Sequence, residues 1–119
     1  MANIKTSLDE LLQVDGALCA AVVDSTSGMM LGSAGSGVDM EVAAAGNTEV
    51  VRAKMKTMRA LGLNDVIDDI LITLGKQYHI IRPVSRKEGV FVYFVLDKAK
   101  SNLAMARRKT QDIERELVI

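Results

Sequence analysis

Ala17-Leu18-Cys19-Ala20-Ala21-Val22-Val23-Asp24 is a run of strand length that stays apolar at both parities until its last residue. A strand with no polar face has none to give to water, so it belongs at the centre of a sheet covered by helices on both sides. Val90 to Asp97, Val-Phe-Val-Tyr-Phe-Val-Leu-Asp, reads the same way and supplies a second central strand. Outward from these two, the other elements follow with short connections. Ile4, Leu8, Leu11 and Leu12 recur at helical spacing. Ser7 with Glu10 fits a capping box, Asn3 is a rival N-cap, and Gly16 ends the helix. Ser25 to Gly28 is turn chemistry, and Met29 to Ser33 reads as a returning hairpin strand. Gly32-Ser33-Ala34-Gly35-Ser36-Gly37 reads as a flexible connection to Asp39, a good N-cap. Met40 to about Leu61 is one long helix closed by Gly62. Val66–Leu74, Tyr78–Val84 and Val90–Asp97, joined by short turns, make an antiparallel meander. Leu103, Ala106, Thr110, Ile113 and Leu117 draw the buried stripe of a last helix, with Arg107, Arg108, Lys109, Asp112, Glu114 and Arg115 off it. The predicted order is α-β-β-α-β-β-β-α in one domain, residues 1–119, of the α/β (α+β) class.

Composition excludes several function classes. The chain has 119 residues, with 15 Lys and Arg against 15 Asp and Glu, a formal net charge of zero. Such a balance argues against a nucleic-acid binder, which shows a basic domain. Aromatics are 3% with no Trp, so no stacking platform is visible. One Cys and one His cannot make an internal disulfide or a Cys/His zinc site. No apolar run approaches the roughly 20 residues of a membrane span, and the N-terminus lacks the apolar core of a signal peptide. A cytoplasmic protein without membrane insertion is expected. Zero net charge also leaves little self-repulsion between copies, so self-association is a natural expectation.

The candidate catalytic groups carry little chemistry. The glycine stretch Gly32–Gly37 precedes a helix, yet no Lys follows it as a phosphate-binding loop requires. His79 sits in a strand beside Ile80 and Ile81 without an orienting carboxylate or nucleophile in any recognisable motif, so a surface or half-buried structural histidine is expected. Cys19 lies within the apolar run and reads as an inert buried thiol. Asp68 and Asp69 are strand neighbours that point to opposite faces, so they do not converge on a metal. They read as charged protection of an edge strand. No catalytic residue, cofactor site or metal site is expected, and no convergent polar cluster marks a small-ligand pocket.

Leu8, Leu11 and Gly16 leading into Ala21-Val22-Val23-Asp24 and a Ser-Gly hairpin, the Ala-rich long helix, the meander, and Asn102-Leu103-Ala104-Met105-Ala106-Arg107 opening the last helix form a set. Together they resemble the roadblock (dynein light-chain roadblock) family in its stand-alone bacterial or archaeal form, over nearly the whole chain. The resemblance implies a profilin-like, five-stranded antiparallel sheet in the order 2-1-5-4-3. The first and last helices lie on one face and the long helix on the other. It further implies a non-catalytic homodimer that regulates or scaffolds a Ras-like small GTPase. The alternative is a structural adaptor, like a motor light chain, with no GTPase-linked activity.

The wheel of the long helix separates its roles at about 100° per residue. Met40, Ala44, Asn47, Val51, Met55 and Met58 share the side assigned to the sheet. Val42, Ala43, Gly46, Val50, Ala53, Thr57 and Ala60 lie next to them, widening the apolar arc to roughly 200°, about twice an ordinary stripe. This small-residue arc, with Val42, Gly46, Val50, Ala53 and Thr57 central to it, is expected to pack on a symmetry mate. Ile70, Ile72 and Asp68 join the interface if the edge strand Val66–Leu74 pairs with its own copy, where Asp68 and Asp69 set the register by like-charge avoidance. Glu41, Thr48, Arg52, Lys56 and Arg59 share the remaining side. Arg52, Lys56 and Arg59 make a basic stripe that is the candidate GTPase docking surface. Reversing Arg52 and Lys56 is expected to abolish binding with little effect on stability.

Overall fold

The computed structural model describes residues 2–119. Its elements are α1 (Ile4–Leu11), β1 (Ala17–Asp24), β2 (Met29–Gly35), α2 (Met40–Ala60), β3 (Ile70–Thr73), β4 (Gln77–Pro83), β5 (Val90–Asp97) and α3 (Leu103–Glu116). The strands form one five-stranded sheet in the order β2-β1-β5-β4-β3, antiparallel throughout. This is the sheet that the resemblance implies. β1 and β5 are central and buried on both faces. Alternation sends Ala20, Val22, Val92 and Phe94 to one side, where Leu8 and Leu11 of α1 and Ala106 and Ile113 of α3 cover them. Cys19, Ala21, Val23, Phe91, Tyr93 and Val95 face the other side, against Ala44 and Val51 of α2.

Several local expectations need correction. Asn3, not Ser7, caps α1, accepting from the Thr6 N–H at 2.8 Å. Ser7 is fully buried one turn later and its hydroxyl has no partner among the described residues. The helix stops at Leu11, and turns carry the chain to Gly16. There φ is +83°, and a Cβ would lie 2.8 Å from that of Ser101, so only glycine fits. β2 runs to Gly35, two residues beyond the expected end, so Gly32–Gly35 is strand and not loop. Its small residues answer to packing. A Cβ on Gly32 would sit 2.7 Å from the Ile4 side chain, where α1 presses on the strand.

The third strand is shorter than its composition suggests. Only Ile70–Thr73 pairs with β4, while residues 64–69 are irregular. With Ile70 opposite Ile81, Asp68 would come opposite Pro83, which has no N–H to give a ladder. On α3, Glu114 is buried, against the expectation of a solvated position. Its carboxylate lies 3.0 Å from Nε of Arg82 on β4 and accepts from the Ser85 hydroxyl at 3.3 Å. Arg86 donates to the carbonyls of Arg115 and Leu117 at the free end of the same helix. One turn between β4 and β5 thus grips the end of α3, supplying the donors that helix carbonyls lack there.

Candidate interaction surface

The candidate surface is built on α2, which Asp39 caps by accepting from the Glu41 and Val42 N–H groups. Ala44, Thr48, Val51 and Met58 are its buried residues. Val42, Gly46, Val50, Ala53 and Thr57 are all exposed, Val42 to 68%. Ala43 and Asn47 are half-buried. Two positions contradict the wheel. Met55, assigned to the sheet, is 40% exposed. Thr48, assigned to the solvated side, is 2% exposed, because its hydroxyl satisfies itself on the Ala44 carbonyl at 2.7 Å.

The basic stripe divides. Arg52 extends Nη2 to the backbone oxygens of Ser25 and Thr26 in the β1–β2 turn. It also lies 3.5 Å from Glu49. Arg52 is therefore a clamp between α2 and the hairpin, so its charge reversal would not leave stability untouched. Lys56 and Arg59 point to solvent.

Beside α2 the surface continues onto the sheet edge. Val50, Met58, Leu63, Val66 and Ile70 line a groove of about 510 Å³ between the helix and the segment leading into β3. Val66 is 77% exposed and Leu63 53%, an apolar rim that the wheel of α2 alone does not reveal. Ile70 and Ile72 are half-buried. The Leu74 N–H bonds to the Gln77 carbonyl, which fixes the alternation of the β3–β4 ladder. By it Ile70 and Ile72 turn their N–H and C=O toward β4, and Leu71 and Thr73 turn theirs outward to an open edge. Asp68 is exposed, whereas Asp69 is held by the guanidinium of Arg107 through bonds of 2.9 and 2.7 Å. The two aspartates have different surroundings, although both lie in the irregular segment before β3 and not in a strand. Asp69 is a tether to α3 rather than a free edge charge, and its carboxylate raises the Arg107 pKa further.

Elsewhere the titratable groups are structural. The His79 ring lies 2.9 Å from the Tyr93 hydroxyl and 2.8 Å from Oε1 of Gln77. Cys19 is buried, and burial pushes its thiol pKa up. Among the described residues no group of three or more His, Cys, Asp or Glu is placed to hold a metal ion. No helix there is long and apolar enough to cross a membrane.

No protein-family model and no curated protein sequence matches the chain. Solved structures do. MglB of Myxococcus xanthus superposes with a TM-score of 0.83 at 20% identity, over 95% of this chain and 89% of that one. A roadblock/LC7 domain from Streptomyces avermitilis gives 0.81 at 10% identity, over 96% and 93%. The gliding protein MglB from Thermus thermophilus gives 0.71 at 17% identity, over 95% and 89%. At 10–20% identity the likeness is one of architecture. What the likeness establishes is that this chain has the roadblock/LC7 fold.

Proposed function

We propose that this chain is a non-catalytic homodimeric module of the cytoplasm that regulates or scaffolds a Ras-like small GTPase. The observation that carries the dimer is the continuity of small and apolar exposed positions on α2 with the open edge of β3. An isologous two-fold lays α2 on α2 and β3 on β3, covering Val42, Gly46, Val50, Ala53 and Thr57 together with Ile70 and Ile72. Asp68 at the joined edge disfavours registers that bring it opposite its own copy. A protein of the same fold, MglB, has a tetrameric arrangement, which supports self-association. The GTPase reading follows the sequence resemblance to roadblock proteins. In it Lys56 and Arg59 present a basic stripe, doubled by the two-fold, to an acidic partner surface, with Arg52 contributing from its clamp.

Gly46 has open space around its Cβ position within the chain, so an arginine there disturbs an interface and not the fold. Gly46→Arg and Ala53→Glu are expected to sediment as monomers; an unchanged dimer in both overturns the dimer face. For the partner, Lys56→Glu with Arg59→Glu is expected to abolish binding to a Ras-like GTPase loaded with a GTP analogue, leaving the dimer intact. Such contacts weaken with salt. Wild-type binding by the double variant at low salt places docking elsewhere. A dimer that binds no Ras-like GTPase in either nucleotide state is a structural adaptor.

A further inference from the structure

The β3 edge is apolar along the strand and oppositely charged at its two ends. Asp65 and Asp68 precede the strand, and Lys76 lies in the turn that follows it. The Lys98 N–H bonds to the Lys76 carbonyl, which sets a second lysine at that end. Asp65, Asp68, Lys76 and Lys98 are exposed, and no ion pair among the described residues uses any of them. We propose, resting on the dimer reading above, that a second copy is recognised in one register: Ile72 opposite Ile72, with Asp68 facing Lys76 at both ends of the joined edge.

Two independent features select this register. Antiparallel pairing of two identical strands needs a two-fold perpendicular to the sheet, which sets one residue opposite its own copy. The backbone is the first feature. Leu71 and Thr73 turn their N–H and C=O groups outward, and residues that exchange ladder bonds stand directly opposite each other. Centred on Ile72, the pair sets each Leu71 opposite Thr73 of the second copy, so every outward group of β3 is bonded. Centred on Ile70 or Leu71, it sends an outward residue to Asp69, which lies outside the strand and is held by Arg107. Centred on Thr73, it sends Leu71 to Gly75 in the turn. The ladder behind this edge runs from Ile70 to Thr73 without a register shift.

Charge is the second feature. Along the edge, the Ile72 register brings Asp68 level with Lys76 of the second copy. The Leu71 register would bring it level with Leu74, and the Thr73 register with Tyr78. Lys76 has begun to turn toward β4, an offset of up to one strand spacing, about 4.8 Å, which a four-carbon stem spans. Because the two-fold exchanges the ends, the acidic end of each copy meets the basic end of the other, and opposite charges so placed attract. An exposed pair contributes little by itself. Its role is to align the copies and to reject an edge without the same order of charges, while the ladder and the α2 face hold them together.

Asp68→Lys and Lys76→Asp each set like charges opposite each other at both ends. Each is expected to raise the dimer dissociation constant about tenfold at low salt, with the gap narrowing as salt is added. Both side chains are exposed, so the fold is expected to persist. Asp68→Lys with Lys76→Asp in one chain restores opposite charges and is expected to recover wild-type dimerisation. Asp68→Lys with Lys87→Asp has the same net charge but leaves Lys76 facing the new lysine, and is expected to stay weak. The only native cysteine is buried, so an introduced thiol reports the register. Ile72→Cys is expected to cross-link two chains under mild oxidation much faster than Ile70→Cys. A wild type that sediments as a monomer overturns this register and the dimer together. A wild-type dimer overturns the register alone if either charge reversal leaves dissociation unchanged, if the double exchange recovers no better than its control, or if residues 70 and 72 cross-link equally.

Discussion

His79 shows what a single residue does in this fold. Oε1 of Gln77 only accepts, so Nε2 of His79 carries the proton and Nδ1 accepts from the Tyr93 hydroxyl. Both ring nitrogens are thereby satisfied in the neutral form, and burial lowers the pKa below its usual 6.5. The unfolded chain, at about 6.5, takes up a proton before the folded one. The contribution is therefore fully present above about pH 6.5 and is lost as pH falls from there through the lower folded value. Urea midpoints are expected to drop between pH 7.5 and 5.5 in the wild type and to drop less in His79→Gln; equal slopes would remove His79 from the account. A structural histidine was legible from its apolar strand neighbours. Its Tyr93 partner was not, because only the β4–β5 register, with His79 opposite Val95 and Ile81 opposite Tyr93, brings the two side chains together.

At the scale of elements, the strands were legible where side-chain pattern alone decides, as in β1 and β5. They were misread where a neighbour decides. Pro83 shortens β3 from outside it, and α1 forces glycine into β2, which then resembles a loop. The α2 wheel placed Ala44, Val51 and Met58 correctly. It failed at Thr48, whose polarity is cancelled within the helix, and at Met55, which is exposed. The Arg52 clamp was invisible because its acceptors are backbone oxygens, which carry no residue signature. Since a charged group donating two hydrogen bonds contributes about 1.5–3 kcal/mol for each in favourable cases, and Arg52 is half-exposed, Arg52→Ala is expected to cost about 1–2 kcal/mol. Lys56→Ala, on the same helix and in solvent, is expected to stay within about 0.5 kcal/mol. Chemical denaturation of the two variants in the Gly46→Arg background checks this without the dimer; equal stabilities would mean that the clamp contributes nothing.

For the whole molecule the governing fact is a sheet with two open edges and no charged rim on either strand, since β3 is Ile-Leu-Ile-Thr and β2 is Met-Met-Leu-Gly-Ser-Ala-Gly. A bare β-prone edge invites uncontrolled pairing, and a symmetric partner is the controlled solution. The β3–β4 register makes this testable residue by residue. The amides of Ile70 and Ile72 point to β4 and are expected to exchange slowly whatever the oligomeric state. Those of Leu71 and Thr73 point outward, and only a partner strand can protect them. In the intact protein, all four are expected to be slow. In Gly46→Arg, which the proposed dimer makes a monomer, Leu71 and Thr73 are expected to exchange fast while Ile70 and Ile72 stay protected. Fast exchange at Leu71 and Thr73 in the wild-type dimer would mean that α2 alone makes the interface, leaving the β3 edge open beside it.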